Sequence, residues 1–152
     1  MSHAANLHSE PQPLPPRSGL PIVAIIALAA LRVPGPILED LGILEAGEWT
    51  SVLLSWAPVA LWIAVVVIRP VARPFLTVLA IGATSGVLLV IAYQLLWNQL
   101  FEDDPASVGG GGMPIRLVAI LGGVITGAVA GAVGGLIAWA VRAVTNRRAG
   151  VT

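Results

Sequence analysis

The amino-acid sequence predicts an all-α integral membrane protein, a bundle of four transmembrane helices in two hairpins with both termini in the cytoplasm. The first observation behind this prediction is composition. Of the 152 residues, 57% are hydrophobic and 11% are charged, whereas about a quarter of the residues of a soluble domain carry a charge. The second is that the apolar residues form four long runs. The third is that the arginines are concentrated on one side of those runs, as expected for cytoplasmic segments.

Three segments follow from this pattern. Residues 1–18 form a Pro-rich tail predicted to be disordered, residues 19–142 form the transmembrane domain, and residues 143–152 form a basic cytoplasmic tail. The approximate spans within the domain are 19–33, 49–68, 74–97 and 117–141. Two histidines in the first tail, His3 and His8, are interpreted as bystanders, because a metal site needs ordered ligands.

The first apolar run is short for a transmembrane helix. Pro34 and Pro36 are predicted to stop the helix near Arg32, because proline lacks an N–H and disfavours helical geometry in the preceding residue. About 15 residues would cover only roughly 22 Å, against about 30 Å of hydrocarbon. Three alternatives are open: local thinning of the bilayer, outward snorkelling of Arg32, or continuation of the helix past the prolines with a kink.

A secretory signal peptide is the rival interpretation of this run. Ala27 and Ala29 flank Leu28 in the small–x–small pattern of a cleavage site. The preceding tail is long and Pro-rich and has a single arginine, Arg17, which does not resemble the short basic start of a signal peptide. We therefore expect the run to be the first transmembrane helix, with cleavage as the alternative.

An acidic segment, residues 36–48, follows the first run. Ile37, Leu41 and Leu44 recur at helical spacing and share one face, which favours a short helix lying at the membrane surface, although Gly42 weakens it. Its acidity argues against docking on anionic lipids, which attract basic helices. The sequence leaves open whether this interfacial helix forms.

The second span, 49–68, has about 20 residues, which cover roughly 30 Å as a helix. Trp49 lies at its outer edge, where interfacial aromatic residues are enriched. Pro58 is predicted to kink this helix, because it leaves the Leu54 carbonyl without its usual donor.

The third span, 74–97, begins with Pro74, in the first helical turn where proline is tolerated. It contains the pair Gly82 and Gly86, whose four-residue spacing lets a second helix approach closely. Trp97 marks the far membrane interface.

The fourth span, 117–141, carries a glycine at every fourth position of its middle part. Each glycine costs up to about 1 kcal/mol in a helix in water, but in a bilayer the helix is needed to satisfy the backbone. A row of glycines then gives a flat surface on which another helix packs, in the same chain or in a second copy. The residues predicted to pack helices together are Gly82, Gly86, Gly123, Gly127, Gly131 and Gly135.

Charge asymmetry sets the predicted orientation in the cell membrane. Seven of the eight acids and two arginines, Arg32 and Arg116, fall on one side of the four spans. The other side collects Arg17, Arg69, Arg73, Arg142, Arg147 and Arg148. By the positive-inside rule both termini are expected to be cytoplasmic.

Two polar residues in the spans, Arg32 and Gln94, are possible functional groups. We interpret Arg32 as an interfacial anchor, with a substrate-binding arginine as the alternative.

The acids at 102–104 are interpreted as a solvated loop rather than a calcium site, because they lack a ligand-rich loop pattern. The chain has no cysteine, and the predicted spans contain no Asp, Glu, Lys or His. We therefore predict no catalytic residue, cofactor or metal.

The function favoured by these observations is that of a non-catalytic accessory subunit or scaffold that acts through helix packing, with the bilayer and another helix as partners. That helix would belong to a second copy or to another membrane protein. A net charge of zero gives no reason to expect nucleic acid. One alternative is a small homo-oligomeric channel or transporter, whose polar path would need Thr84, Ser85, Gln94 and Thr126. Another is a lipid-directed enzyme using the outer acids and Arg32.

Overall fold

A computed structural model describes residues 19–43, 47–69, 71–101 and 112–149. In chain order its helices are α1 (Ile22–Ala30), α2 (Pro34–Asp40), α3 (Glu48–Ile68), α4 (Pro74–Leu95), α5 (Trp97–Leu100) and α6 (Gly112–Ala149). The described part of the chain contains no strand. The tail at 1–18 and the acids at 102–104 lie outside the described residues.

The helices are consistent with a multi-pass membrane protein. Four segments are long and apolar enough to cross a membrane: Ile22–Asp40, Trp49–Ile68, Pro74–Leu95 and Pro114–Arg147. The prediction of an all-helical chain with four such segments is confirmed for the residues that the structure describes.

The first span continues past its prolines. Helix α1 ends at Ala30, close to the predicted stop, but Leu31 and Val33 keep right-handed helical dihedral angles and α2 begins at Pro34. Together α1 and α2 form an apolar segment of 19 residues, which would cover roughly 28 Å. Arg32 therefore lies inside this span, whereas the predicted short helix put it near the outer end.

A glycine turn ends the first span. Gly42 has a φ of +67°, which glycine adopts without strain. The Gly42 N–H donates to the Glu39 carbonyl and the Ile43 N–H to the Leu38 carbonyl, the hydrogen-bond pair of a Schellman motif. Helix α2 therefore covers only the first part of the predicted interfacial helix, and residues 44–46 lie outside the described residues.

The third predicted span is divided at its end. Helix α4 begins with Pro74, as expected for a residue whose missing N–H is not needed in the first turn. Leu96 has non-helical dihedral angles and separates α4 from the four-residue helix α5. Helix α3 runs through Pro58 without interruption.

Helix α6 is longer than the predicted fourth span at both ends. Its 38 residues correspond to roughly 57 Å, and most of the predicted basic tail belongs to it. The sequence between Gly135 and Gly150 contains no proline or glycine, so no residue in it breaks the helix.

Helix α4 is central in the bundle. It packs most extensively on α6 and also contacts α1 and α3, while α3 contacts α6 and α2. The buried apolar core draws on all of the long helices and the turn between α3 and α4: Ala29, Val59, Trp62, Val66, Val71, Val78, Ile81, Ala130 and Ala138.

The two ends of the bundle differ in charge. At one end the Tyr93 hydroxyl donates a hydrogen bond to Oδ2 of Asp40, which joins α4 to α2. At the other end Nη1 of Arg142 donates to the Val71 carbonyl, which joins α6 to the turn between α3 and α4. We call the first the acidic end and the second the basic end. The basic end contains Arg69, Arg73, Arg142 and Arg147.

A hydrogen bond from Trp62 fixes the first span to α3. The Arg32 N–H donates to the Ala29 carbonyl, three residues back, so that the Leu28 carbonyl loses its usual donor four residues ahead. Nε1 of the fully buried Trp62 donates to this Leu28 carbonyl over 2.8 Å. The hydrogen bond to a carbonyl three residues back thus leaves the Leu28 carbonyl without a donor in its own helix, and Trp62 of α3 supplies one.

We expect Trp62→Phe to lower the free energy of unfolding by about 1–3 kcal/mol, because it leaves the Leu28 carbonyl without a donor in an apolar site. Trp56→Phe is the matched control on the same helix, since Trp56 is 52% exposed. Unfolding of both variants in mixed micelles, titrated with a denaturing detergent, measures the difference. Equal losses in the two variants would contradict the structural role of the hydrogen bond.

Candidate functional site

The backbones of α4 and α6 meet at glycines. A Cβ atom built on Gly127 would lie 2.6 Å from the Gly82 carbonyl oxygen and 2.7 Å from the Gly86 nitrogen. A Cβ atom on Gly82 would lie 2.6 Å from the Gly127 carbonyl oxygen, and one on Gly86 would lie 2.8 Å from the Gly123 carbonyl oxygen. Because these neighbours are backbone atoms, no rotamer change makes room. This contact, between Gly82 and Gly86 of α4 and the glycines of α6, is here called the glycine interface.

The glycine interface extends along α6 in both directions. A Cβ atom on Gly131 would lie 3.0 Å from the Leu79 carbonyl oxygen, and one on Gly135 would lie 2.8 Å from the Phe75 carbonyl oxygen. At Gly123 it would meet the Val90 side chain at 2.6 Å. The structure therefore places all six predicted packing glycines between α4 and α6 of one chain.

The glycines beside this row have different surroundings. Gly122 has no atom within 4 Å of a built Cβ and faces away from the bundle. Gly134 was not among the predicted packing residues, but a Cβ atom there would lie 3.1 Å from the Val59 side chain and 3.2 Å from that of Val78. It lies where α3, α4 and α6 converge. Its position in the sequence does not distinguish it, because Gly122 also lies one residue from the repeating row.

No family model, curated protein or solved structure matches this chain. The function of the glycine interface and of the polar groups near it therefore has to be inferred from the chemistry of this chain.

One atom of the Arg32 guanidinium group is buried without a hydrogen bond in the described part of the chain. Arg32 is half-buried between α1 and α2, and the atom without an acceptor among the described residues is Nε. Two other arginines have contacts within the chain. Arg116 lies 4.9 Å from the centroid of the Trp97 ring in a cation–π arrangement, and Arg142 bonds to the Val71 carbonyl.

Gln94 lines a cavity of about 230 Å³ between α4 and α6 at the acidic end. Tyr93, Phe101 and the glycine interface residue Gly123 also contribute to its walls, which are largely apolar. The Nε2 atom of Gln94 is buried and has no acceptor among the residues that the structure describes. The Nε2 donor of Gln94 is thus buried beside a largely apolar cavity without a partner among the described residues.

The four polar residues considered for a channel do not lie together. The Thr84 hydroxyl donates to the Ala80 carbonyl of its own helix over 2.8 Å. Ser85 is buried at 1% exposure within the bundle, Gln94 lines the cavity at the acidic end, and Thr126 is exposed on α6. Within one chain they form no continuous polar path.

We expect Gly127→Ala to destabilise the protein by about 1–3 kcal/mol, because the new methyl group would meet backbone atoms of α4 and force the helices apart. Gly122→Ala is the matched control, with the same change five residues earlier on the same helix. It should be neutral or stabilising by up to about 1 kcal/mol through helix propensity. The same detergent titration measures both, and an unchanged Gly127→Ala variant would refute the close contact.

Proposed function

We propose that this protein is a non-catalytic accessory subunit or scaffold of the cell membrane, with both termini in the cytoplasm and its spans arranged as two hairpins. The glycine interface joins α4 and α6 through close backbone contacts. In this proposal the first span, Ile22–Asp40, is the surface that meets a partner.

Arg32 is the observation that carries the proposal. A guanidinium group within a membrane span is costly unless it is paired, and the buried Nε atom of Arg32 has no hydrogen-bond acceptor among the described residues. The first span is also the least enclosed of the four, with 6% of its most apolar 18 residues buried in the chain. A carboxylate in a transmembrane helix of another protein would pair with Arg32 and cover this span.

The glycine interface supports the same division of roles. Its glycines are occupied by contacts between α4 and α6 within one chain, so that they are not free to bind another helix. Gly122 and the exposed side chains of the first span remain available for such a contact.

Native mass spectrometry of the protein, gently extracted from its own membrane, tests the proposal. We expect a second membrane protein in fixed stoichiometry with the wild type, loss of that protein in Arg32→Gln, and its retention in Arg116→Gln. Arg116 is the matched control because it already contacts Trp97 within the chain. A discrete homo-oligomer without a second protein would contradict the proposal and favour a channel, which flux measurements in liposomes would then examine.

The orientation is tested by cysteine labelling, since the chain has no cysteine of its own. We introduce cysteine at Asn98 near the acidic end or at Thr145 near the basic end, both of which are exposed. In intact cells a membrane-impermeant maleimide should label Asn98→Cys, whereas Thr145→Cys should react only after the membrane is opened. The reverse pattern would overturn the predicted orientation.

A further inference from the structure

The basic end of the bundle contains a cavity of about 510 Å³ between the α3–α4 turn and α6. Its walls include Val71 and Pro74 from the turn and the start of α4, and Trp139, Arg142 and Asn146 from α6. This cavity is separate from the glycine interface and from Arg32. We call it the basic-end cavity.

Two polar side chains of α6 face the basic-end cavity together. Arg142 and Asn146 are four residues apart and therefore lie on the same face of the helix. The hydrogen bond from Nη1 of Arg142 to the Val71 carbonyl holds the guanidinium group in place. A guanidinium group has five N–H donors, so the remaining donors of Arg142 and the Asn146 amide are available to a ligand rich in acceptors.

The electrostatic environment of the basic-end cavity favours an anion. Arg69 and Arg73 flank the turn that forms one wall, whereas the acids of the described residues, Glu39, Asp40 and Glu48, lie towards the opposite end. Helix α4 begins at Pro74 in the cavity wall and has no side-chain cap at its N-terminus. The positive end of its dipole adds to the field of the arginines.

The side chains around the basic-end cavity suit a lipid. Trp139 lines the cavity and is 58% exposed, as expected for a tryptophan that lies at the level of the lipid headgroups. Leu136, three residues before Trp139 on α6, is 57% exposed and offers an apolar surface to an acyl chain. A free anion would fill the polar part of this site and leave the apolar part uncovered.

We propose that the basic-end cavity binds the phosphate headgroup of an anionic phospholipid, with Arg142 and Asn146 as the phosphate ligands and Trp139 beside the glycerol region. Basic cavities between transmembrane helices are known sites for anionic headgroups. The site depends on the geometry of α4 and α6, and it goes beyond the accessory role because it needs no protein partner.

The experiment measures lipid binding to the purified full chain by native mass spectrometry. Dioleoylphosphatidylglycerol is the anionic probe and dioleoylphosphatidylcholine is the zwitterionic control. We expect the wild type to prefer the anionic lipid, and we expect Arg142→Gln and Asn146→Ala each to weaken its binding about tenfold, the effect of losing a charge-assisted hydrogen bond. Arg147→Gln is the matched control, because it removes the same charge from a side chain that does not line the cavity.

Three results would overturn the proposal. Equal losses in Arg147→Gln and Arg142→Gln would mean that net charge alone attracts the lipid, and displacement of the lipid by inorganic phosphate would mean that the site takes a soluble anion. Because Arg142 also supports the turn at Val71, Asn146→Ala decides the outcome if Arg142→Gln fails to fold. Unchanged binding in Asn146→Ala would then contradict the site.

Discussion

Backbone meets backbone where α4 packs on α6, because Gly82, Gly86 and Gly127 place no side chain between the two helices. Among the apolar side chains of α4, Val78 and Ile81 are fully buried in the core, to which α1 and α3 also contribute. A bilayer provides no hydrophobic force between helices, so that close van der Waals packing of this kind is what holds them together. The positions of the other spans depend on this contact, since α4 contacts each of them.

Hydrogen bonds from polar side chains connect the other parts of the bundle to α4 and α6 and to each other. Trp62 bonds to a carbonyl that the tightened helix before Pro34 leaves free, Tyr93 joins α4 to α2 through Asp40, and Arg142 joins α6 to the turn at Val71. Each of these bonds connects segments that are distant in the sequence, and each uses a backbone or carboxylate acceptor. The bundle is thus fixed at both ends as well as along its glycine interface.

The sequence was informative about features that depend on composition and spacing. The four apolar segments were recognisable from their length, and the four-residue spacing of glycine marked positions that lie between α4 and α6. The sequence could not show how the chain continues past Pro34 and Pro36. A proline without an N–H shows where a helical hydrogen bond is missing. It does not show whether backbone hydrogen bonds to a carbonyl three residues back, instead of four, replace it. From the sequence, Arg142 contributed only to the predicted orientation in the membrane. Its hydrogen bond to the Val71 carbonyl depends on how α6 packs on the turn, which the sequence does not reveal. Gln94 was identified as a candidate, whereas the cavity beside it follows from the positions of α4, α5 and α6.

Helix α6 has a mechanical consequence that follows from its length. Its last seven residues, beyond Arg142, continue the same helix for about 10 Å, and the segment contains no proline or glycine at which it could bend. The direction of these last residues is therefore set by the packing of α6 on α4. A small change in the angle between the two helices would shift the end of α6, where Arg147 lies, sideways.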